Sequence, residues 1–201
     1  IMMWDVIEMK ITKVLLKDVG ERLFFSYPEH TVLENVDFRI GLSVSQLDEN
    51  KKLYFGSDHV SSYHIMLDGR AETVNCESGK QTFGIGQTFS CEEQERMELT
   101  GTGRVFNMFM AGGVRGFIRK MILDKEKKMR VGEAMGACVM AFLGFDTGFR
   151  MEWNGEECSC EAGSGVVIEI DKKEFVSLNF IPEKTNMPIA CVTGVLLNDH
   201  D

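Results

Sequence analysis

The chain predicts an all-β fold, and three observations carry that prediction. From Phe38 to Leu47 apolar and polar residues alternate strictly, with Phe38, Ile40, Leu42 and Val44 on one side and Arg39, Gly41, Ser43 and Ser45 on the other. A period of two is the signature of a half-buried strand. Short runs of this kind recur along the chain at regular spacing, which argues for a sandwich or barrel. No long amphipathic helix competes with them, and Glu133 to Phe142 is the one ambiguous stretch.

Taken in order, Met9 to Leu16 reads as the first strand and Arg22 to Tyr27 as the second, closed by Pro28-Glu29. Phe38 to Leu47, Lys52 to Phe55 and Ser62 to Leu67 follow, then Asp68-Gly69 and Arg70 to Cys76. An Asp-Gly pair between extended runs is a hairpin signal, because both turn residues must take positive φ. Glu77-Ser78-Gly79-Lys80 reads as the next turn. Short strands come near Thr82, at Thr88 to Ser90, Arg96 to Leu99 and Arg104 to Met110, with Gly101 and Gly103 marking a turn between the last two. Gly112-Gly113 and the charged run Asp124 to Arg130 then interrupt the pattern. The run reads as a solvated connection, so the halves are placed at 1–123 and 124–201. Strands resume at Ala137 to Leu143, Phe149 to Trp153, Glu156 to Glu161, Gly165 to Asp171, Phe175 to Phe180 and Ile189 to Leu197. No internal repeat is visible.

Charge and composition exclude several classes. With 31 acidic against 22 basic residues the formal net charge is -9, and no long basic run offsets it. Such a chain is a poor partner for a phosphate backbone, so no nucleic acid is expected. No stretch approaches the ~18–20 apolar residues of a membrane span. The start, IMMWDVIEMK, lacks the charged-then-apolar plan of a signal peptide, so a cytoplasmic location is expected. The six cysteines fit that compartment as reduced thiols. Cys158-Ser159-Cys160 is the only close pair, and alternation would put both sulfurs on one face. It lacks a second pair at zinc-finger spacing and is not a C-x-x-C motif, so a pair of small buried hydrophobes is the plainer reading.

Four pieces of the sequence, in order and spacing, resemble the HutD/Ves family of bacterial proteins. They are Tyr27-Pro28-Glu29, Asp37-Phe38-Arg39-Ile40, Met66-Leu67-Asp68-Gly69 and Phe106-Asn107-Met108. The resemblance covers roughly residues 9 to 120. It implies a bicupin, two small antiparallel β-barrels of the double-stranded β-helix type packed in one chain. It also implies no established enzymatic activity, with a formylated or formiminated glutamate proposed as ligand in histidine-utilising members and a stress response in others. The sequence departs from the family at three places. Lys17-Asp18-Val19-Gly20-Glu21 stands where members carry W-x-G-G, Val105 replaces an acidic residue, and Ser62 stands where an arginine is common.

Metal-dependent cupins present H-x-H, a nearby glutamate and a later histidine, an N/O set suited to iron or manganese. Here His59 and His64 are five apart, Gly84 to Phe109 holds no histidine, and His30 and His200 lie in a loop and near the C-terminus. No metal or other cofactor is expected. Arg39 is the charge of most interest, since a guanidinium holds a carboxylate bidentately. Its plainer reading is an outward side chain or an ion pair with Asp37, Glu72 or Glu98. Asn107, in the apolar run VFNMFM, must satisfy its amide on backbone or on a ligand. His64 reads as a barrel-wall histidine and Ser43 as a donor on the Arg39 face. No nucleophile elbow accompanies that serine. The expectation is a cytoplasmic, non-catalytic bicupin that binds or senses a small acidic metabolite such as an N-acylated glutamate. Arg39, Ser43, His64 and Asn107 would form the ligand site, with a homodimer left open. Two alternatives stand beside it: a metal-dependent cupin isomerase or dioxygenase, and a pocket-less protein-interaction module.

Overall fold

A computed structural model of the chain describes residues 9–16, 23, 25–27, 39–75, 79–132, 138–170 and 175–196. Among the described residues all regular structure is strand. The first nine strands are β1 (Met9–Leu15), β2 (Phe25–Tyr27), β3 (Ile40–Leu47), β4 (Leu53–Phe55), β5 (Val60–Met66), β6 (Arg70–Asn75), β7 (Gly79–Gly84), β8 (Thr88–Cys91) and β9 (Met97–Ala111). The rest are β10 (Val114–Leu123), β11 (Lys127–Gly132), β12 (Cys138–Gly144), β13 (Phe149–Trp153), β14 (Glu156–Cys160), β15 (Ser164–Ile170), β16 (Phe175–Pro182) and β17 (Met187–Leu196). Among the described residues no helix is long and apolar enough to cross a membrane.

The strands form three sheets. An eight-stranded sheet runs β2-β3-β9-β5-β8, with β4 and β6 joined to it through β9 and β7 through β6. A five-stranded sheet runs β1-β15-β12-β17-β10, and a four-stranded one runs β11-β16-β13-β14. Alternation along the strands sorts their side chains into three cores. Ile40, Leu42, Val44, Phe106 and Met108 leave one face of the eight-stranded sheet and meet Val139, Ala141, Val167 and Val192 of the five-stranded sheet. The other face of the five-stranded sheet, with Phe142, Val166 and Ile168, packs on Met151, Leu178 and Phe180 of the four-stranded one. The remaining face of the eight-stranded sheet closes over Met66, Phe89, Leu99 and Val105. The stretch from Ile40 to Val44 is therefore buried on both faces, not half-buried. Two inner cores stand on either side of a shared central one.

Several expectations are corrected here. The sheets are not closed barrels, since among the described residues the two end strands of each path do not pair with one another. The eight-stranded sheet folds over instead of wrapping round. Its fold line is β9, which pairs β4 and β6 with its first half and β3 and β5 with its second. The bend lies at Gly101 and Gly103, with φ of 145° and 100°, so these glycines kink one long strand where a turn between two was expected. A Cβ on Gly103 would lie 2.2 Å from the Asp68 carbonyl oxygen, closer than any side chain allows. Asp68-Gly69 is likewise a corner and not a two-residue hairpin: only the glycine has positive φ, and β5 and β6 both pair with β9. The Asp68 carboxylate caps the corner, accepting from the Arg104 backbone N–H at 2.8 Å and its Nε at 2.6 Å. A tight turn with both residues at positive φ occurs at Asn154-Gly155, between β13 and β14.

The charged run Asp124 to Arg130 contains four of the six residues of edge strand β11, whose Met129 and Val131 turn inward, and is not merely a connection. Cys138 to Phe142 is strand, while 133–137 lie outside the described residues. Pro28-Glu29, His30, Asp37-Phe38, Cys76 and His200 also lie outside them. The chain crosses between halves twice. β1 pairs with β15, and after Gly112-Gly113 the chain leaves the eight-stranded sheet so that β10 pairs with β17.

Candidate ligand-binding site

The register of four adjacent strands builds the site. Ser43 on β3 stands opposite Asn107 on β9, Asn107 opposite His64 on β5, and His64 opposite Phe89 on β8. One lateral row therefore crosses the sheet, on the face that lines the N-terminal inner core. Ser43, His64 and Asn107 are all buried, so each polar atom needs a partner. The row supplies them. Asn107 Nδ2 donates to the Oγ atoms of Ser43 at 3.0 Å and Ser45 at 2.9 Å. Its Oδ1 then faces His64 Nδ1 at 2.8 Å, which fixes the imidazole proton on that nitrogen. The other nitrogen, Nε2, lies 2.9 Å from Ser62 Oγ and accepts from it.

Aromatic rings enclose the imidazole. Phe89 stacks on it at 4.9 Å and Phe55 tilts against it at 4.4 Å, with the Phe109 edge at 6.5 Å. Burial there pushes the His64 pKa down to about 4, with the Asn107 hydrogen bond acting the other way, so the ring is neutral near pH 7. Both ring nitrogens are engaged inside the sheet and neither is presented to a metal. Among the described residues no group of three or more His, Cys, Asp or Glu could hold a metal ion. His59, the other histidine before the corner, is exposed.

Three of the four residues expected at the site, Ser43, His64 and Asn107, thus meet in one network. Arg39 does not join it. It precedes β3, four residues from Ser43 and so about 13 Å along the strand. Its guanidinium is exposed, and among the described residues it donates through Nη1 to the Gly112 carbonyl. Of the ion-pair partners considered for it, Glu72 is bound to Lys80 at 2.7 Å and Glu98 to Lys52 at 2.8 Å, while Asp37 lies outside the described residues. Ser62, Ser45 and the phenylalanine cage were missed as site residues. Ser45 shares the alternation of Ser43, and Ser62 stands two before His64, so parity was an available signal for both.

A cavity of about 300 Å³ opens at the edge of this core. Phe83, Phe89 and Met97 form its apolar part, the two rings 4.7 Å apart, and Thr73, Gln81, Glu92 and Glu95 its polar part. Glu95 is held in place as Oε2 accepts from the Glu92 backbone N–H at 2.8 Å. Phe89 links this cavity to the row, with one ring against the space and against His64. The Cys158 and Cys160 thiols lie elsewhere, both buried in the C-terminal inner core on one face of β14, as alternation requires. Burial, with Cys158 beside it, pushes the Cys160 pKa up to about 12, so it stays a thiol.

Solved structures share this architecture. The chain is similar to the conserved protein of unknown function PA5104 from Pseudomonas aeruginosa PAO1, with a TM-score of 0.75 and 13% identity over 94% of this chain and 100% of that one. It is similar to HutD from Pseudomonas fluorescens SBW25, with a TM-score of 0.66 and 12% identity over 94% and 100%. A Cupin 2 conserved barrel domain protein from Leptotrichia buccalis aligns with a TM-score of 0.50 and 10% identity over 97% and 92%. No protein-family model matches the sequence, and no curated protein matches it. At these identities the likeness establishes a HutD-like, cupin-like all-β fold and nothing finer.

Proposed function

Proceeding from a HutD-like cupin fold, we propose that the protein is a non-catalytic, bicupin-type binding or regulatory protein for a small molecule. The observation that carries this reading is the cavity at the edge of the N-terminal inner core, backed by Phe89 and the hydrogen-bonded row behind it. A mutually satisfied wall next to an open cavity of mixed polar and apolar lining is a setting for a pre-formed ligand pocket. Catalysis receives no support from the same groups. His64 is neutral with both nitrogens occupied, and the buried thiols Cys91 and Cys160 are held protonated, at about 11 and about 12.

Two observations bear on the ligand's charge, and they lie in different places. Arg39 offers an exposed guanidinium suited to a carboxylate. The cavity instead carries Glu92 and Glu95 with no lysine or arginine in its lining. A carboxylate therefore belongs at Arg39, and an apolar or aromatic body with hydrogen-bond donors belongs in the cavity.

Thermal unfolding against glutamate, N-formylglutamate, urocanate and histamine tests this. A ligand at ~100 times its dissociation constant stabilises the native state by about 2.7 kcal/mol. Binding is expected to vanish in Gln81→Trp, which fills the cavity from its exposed rim. An acid whose effect disappears in Arg39→Ala and survives Glu92→Gln would place the carboxylate. If no compound moves the transition, the small-molecule reading fails.

A further inference from the structure

We propose that the cavity at the edge of the N-terminal inner core takes a two-ended aromatic amine. Its ammonium group lies at Glu95, its ring against Phe83, Phe89 and Met97, and a second polar group at Thr73. This rests on the reading of that cavity as a small-molecule site and names the class of its ligand. The topology opens the site. β7 pairs with β6 and β8 with β5, so the turn from Gly84 to Gln87 joins two strands whose other edges are free among the described residues. Phe83 and Phe89 flank that turn and both line the cavity. The turn is pinned, with the Gln87 N–H donating to the Gly84 carbonyl at 3.0 Å and the Gly86 N–H to the Met66 carbonyl at 2.8 Å.

The deciding group is Thr73. Its side chain is 3% exposed and lines the cavity. Alternation puts it on the inner face of β6 with Ala71, while Glu72 between them turns outward to Lys80. Among the described residues nothing bonds its hydroxyl, and that oxygen is not sealed off as those of Thr147 and Thr193 are. The hydrogen-bonded row behind Phe89 has its polar atoms paired, whereas this one is left for whatever enters the space.

The rest of the lining sets the other end of the ligand. Thr73 stands opposite Leu99 on β9 and Asn75 opposite Met97, and Glu95 comes two residues before Met97 in the chain. Met97 therefore lies between the hydroxyl and the carboxylate, so one molecule meets an apolar stretch with a polar group at each side. Glu95 is half-buried, its Oε2 tied to the Glu92 backbone N–H and its Oε1 without a bond among the described residues. Arg96, beside it in sequence, is turned to Asp58 at 2.8 Å and is not part of the lining. An ammonium group supplies the charge that Glu95 lacks a partner for. The net charge of -9 favours a cation's approach and opposes an anion's.

Tyramine is the probe, titrated calorimetrically at low ionic strength beside phenethylamine, which lacks its hydroxyl, and 4-hydroxyphenylacetate, which carries a carboxylate in place of the amine. Tyramine should bind about tenfold or more tightly than the acid and about fivefold more tightly than phenethylamine. Thr73→Val keeps the shape and should erase the second difference alone, with the unfolding temperature unchanged or higher because a hydroxyl without a partner is removed. Glu95→Gln keeps an acceptor for the Glu92 N–H and should weaken both amines by about tenfold. Tyramine binding that neither variant changes would overturn this placement. Binding of the acid in preference to the amines, lost in Gln81→Trp, would overturn the amine class and leave the small-molecule reading standing. Silence from all three compounds would overturn the amine class, and a thermal shift by any acid of the earlier panel would show that the small-molecule reading had not failed with it.

Discussion

The two inner cores have the same construction and opposite chemistry. In the N-terminal one the row across the sheet reads Ser43, Asn107, His64, Phe89. In the C-terminal one the central strand β12 places Phe142 between Val166 and Cys191, while the polar pair Glu152 and Asn179 lies on the outer face of the four-stranded sheet. An apolar core is the cheaper way to hold two sheets together, because it leaves no group that must find a partner. A buried polar row is neutral at best, and only while every member is satisfied. The C-terminal half is thus organised for stability, and the N-terminal half keeps a feature that stability alone does not require.

The largest effect expected is on the apolar side of that comparison. Phe142 is fully buried, with the Phe180 ring at 4.6 Å. Phe142→Ala should cost about 3–5 kcal/mol, read from urea unfolding. On the polar side, Asn107→Ala strands His64 Nδ1 and two serine hydroxyls, at about 1–3 kcal/mol for each buried group left unsatisfied. The informative contrast is the triple variant Ser43→Ala, His64→Leu, Asn107→Leu, which replaces donors and acceptors together. If it recovers most of the loss in Asn107→Ala, the row is dispensable to folding and its retention points to the adjoining cavity. Failure to recover would mean that the row shapes the sheet itself.

Acid should separate the halves as well. The unfolded His64 pKa lies near 6.5, and burial holds the folded value at about 4. Between those values the unfolded chain binds more protons, so stability falls as pH falls through that window, and above it the term is absent. From pH 7 to pH 5 the loss from this one group is about 2 kcal/mol. The difference in urea midpoints between the native chain and His64→Gln should shrink over that range. A constant difference would show that His64 is solvated and able to charge, against the caged geometry.

Much of this was legible because strand parity is a local signal. The alternation of β3 put Ile40, Leu42 and Val44 on one face and Ser43 and Ser45 on the other, and the same parity brought Cys158 and Cys160 together. Ser43, His64 and Asn107 were chosen separately, as polar residues in apolar strands, and burial of the sheet left them to bond one another and the neighbouring Ser45 and Ser62. What was not legible is set at long range. The register that aligns those three depends on pairing β3 and β5 with β9, some forty to sixty residues away in the chain. Arg39 continues the alternation of β3 in sequence, yet the strand begins at Ile40, so the arginine falls at the sheet end. Glu92 and Glu95 carry no pattern, and they become site residues only because β8 ends beside the cavity. Asp68-Gly69 has the composition of a hairpin and makes a corner, since its neighbours pair with a third strand.

That last pair frames the smallest effect and the most discriminating one. Gly155 and Gly103 both have positive φ, 85° and 100°, so alanine is strained at either. Around Gly155 nothing lies within 4 Å of where a Cβ would stand, whereas at Gly103 that position is 2.2 Å from the Asp68 backbone oxygen. Gly155→Ala therefore isolates the backbone term and should cost about 1 kcal/mol. Gly103→Ala must also push apart the corner at which the eight-stranded sheet folds over, so its cost should exceed that of Gly155→Ala. Equal costs would mean that the corner yields freely. The fold line of the N-terminal half would then be a flexible joint, and a cavity beside it could not be pre-formed.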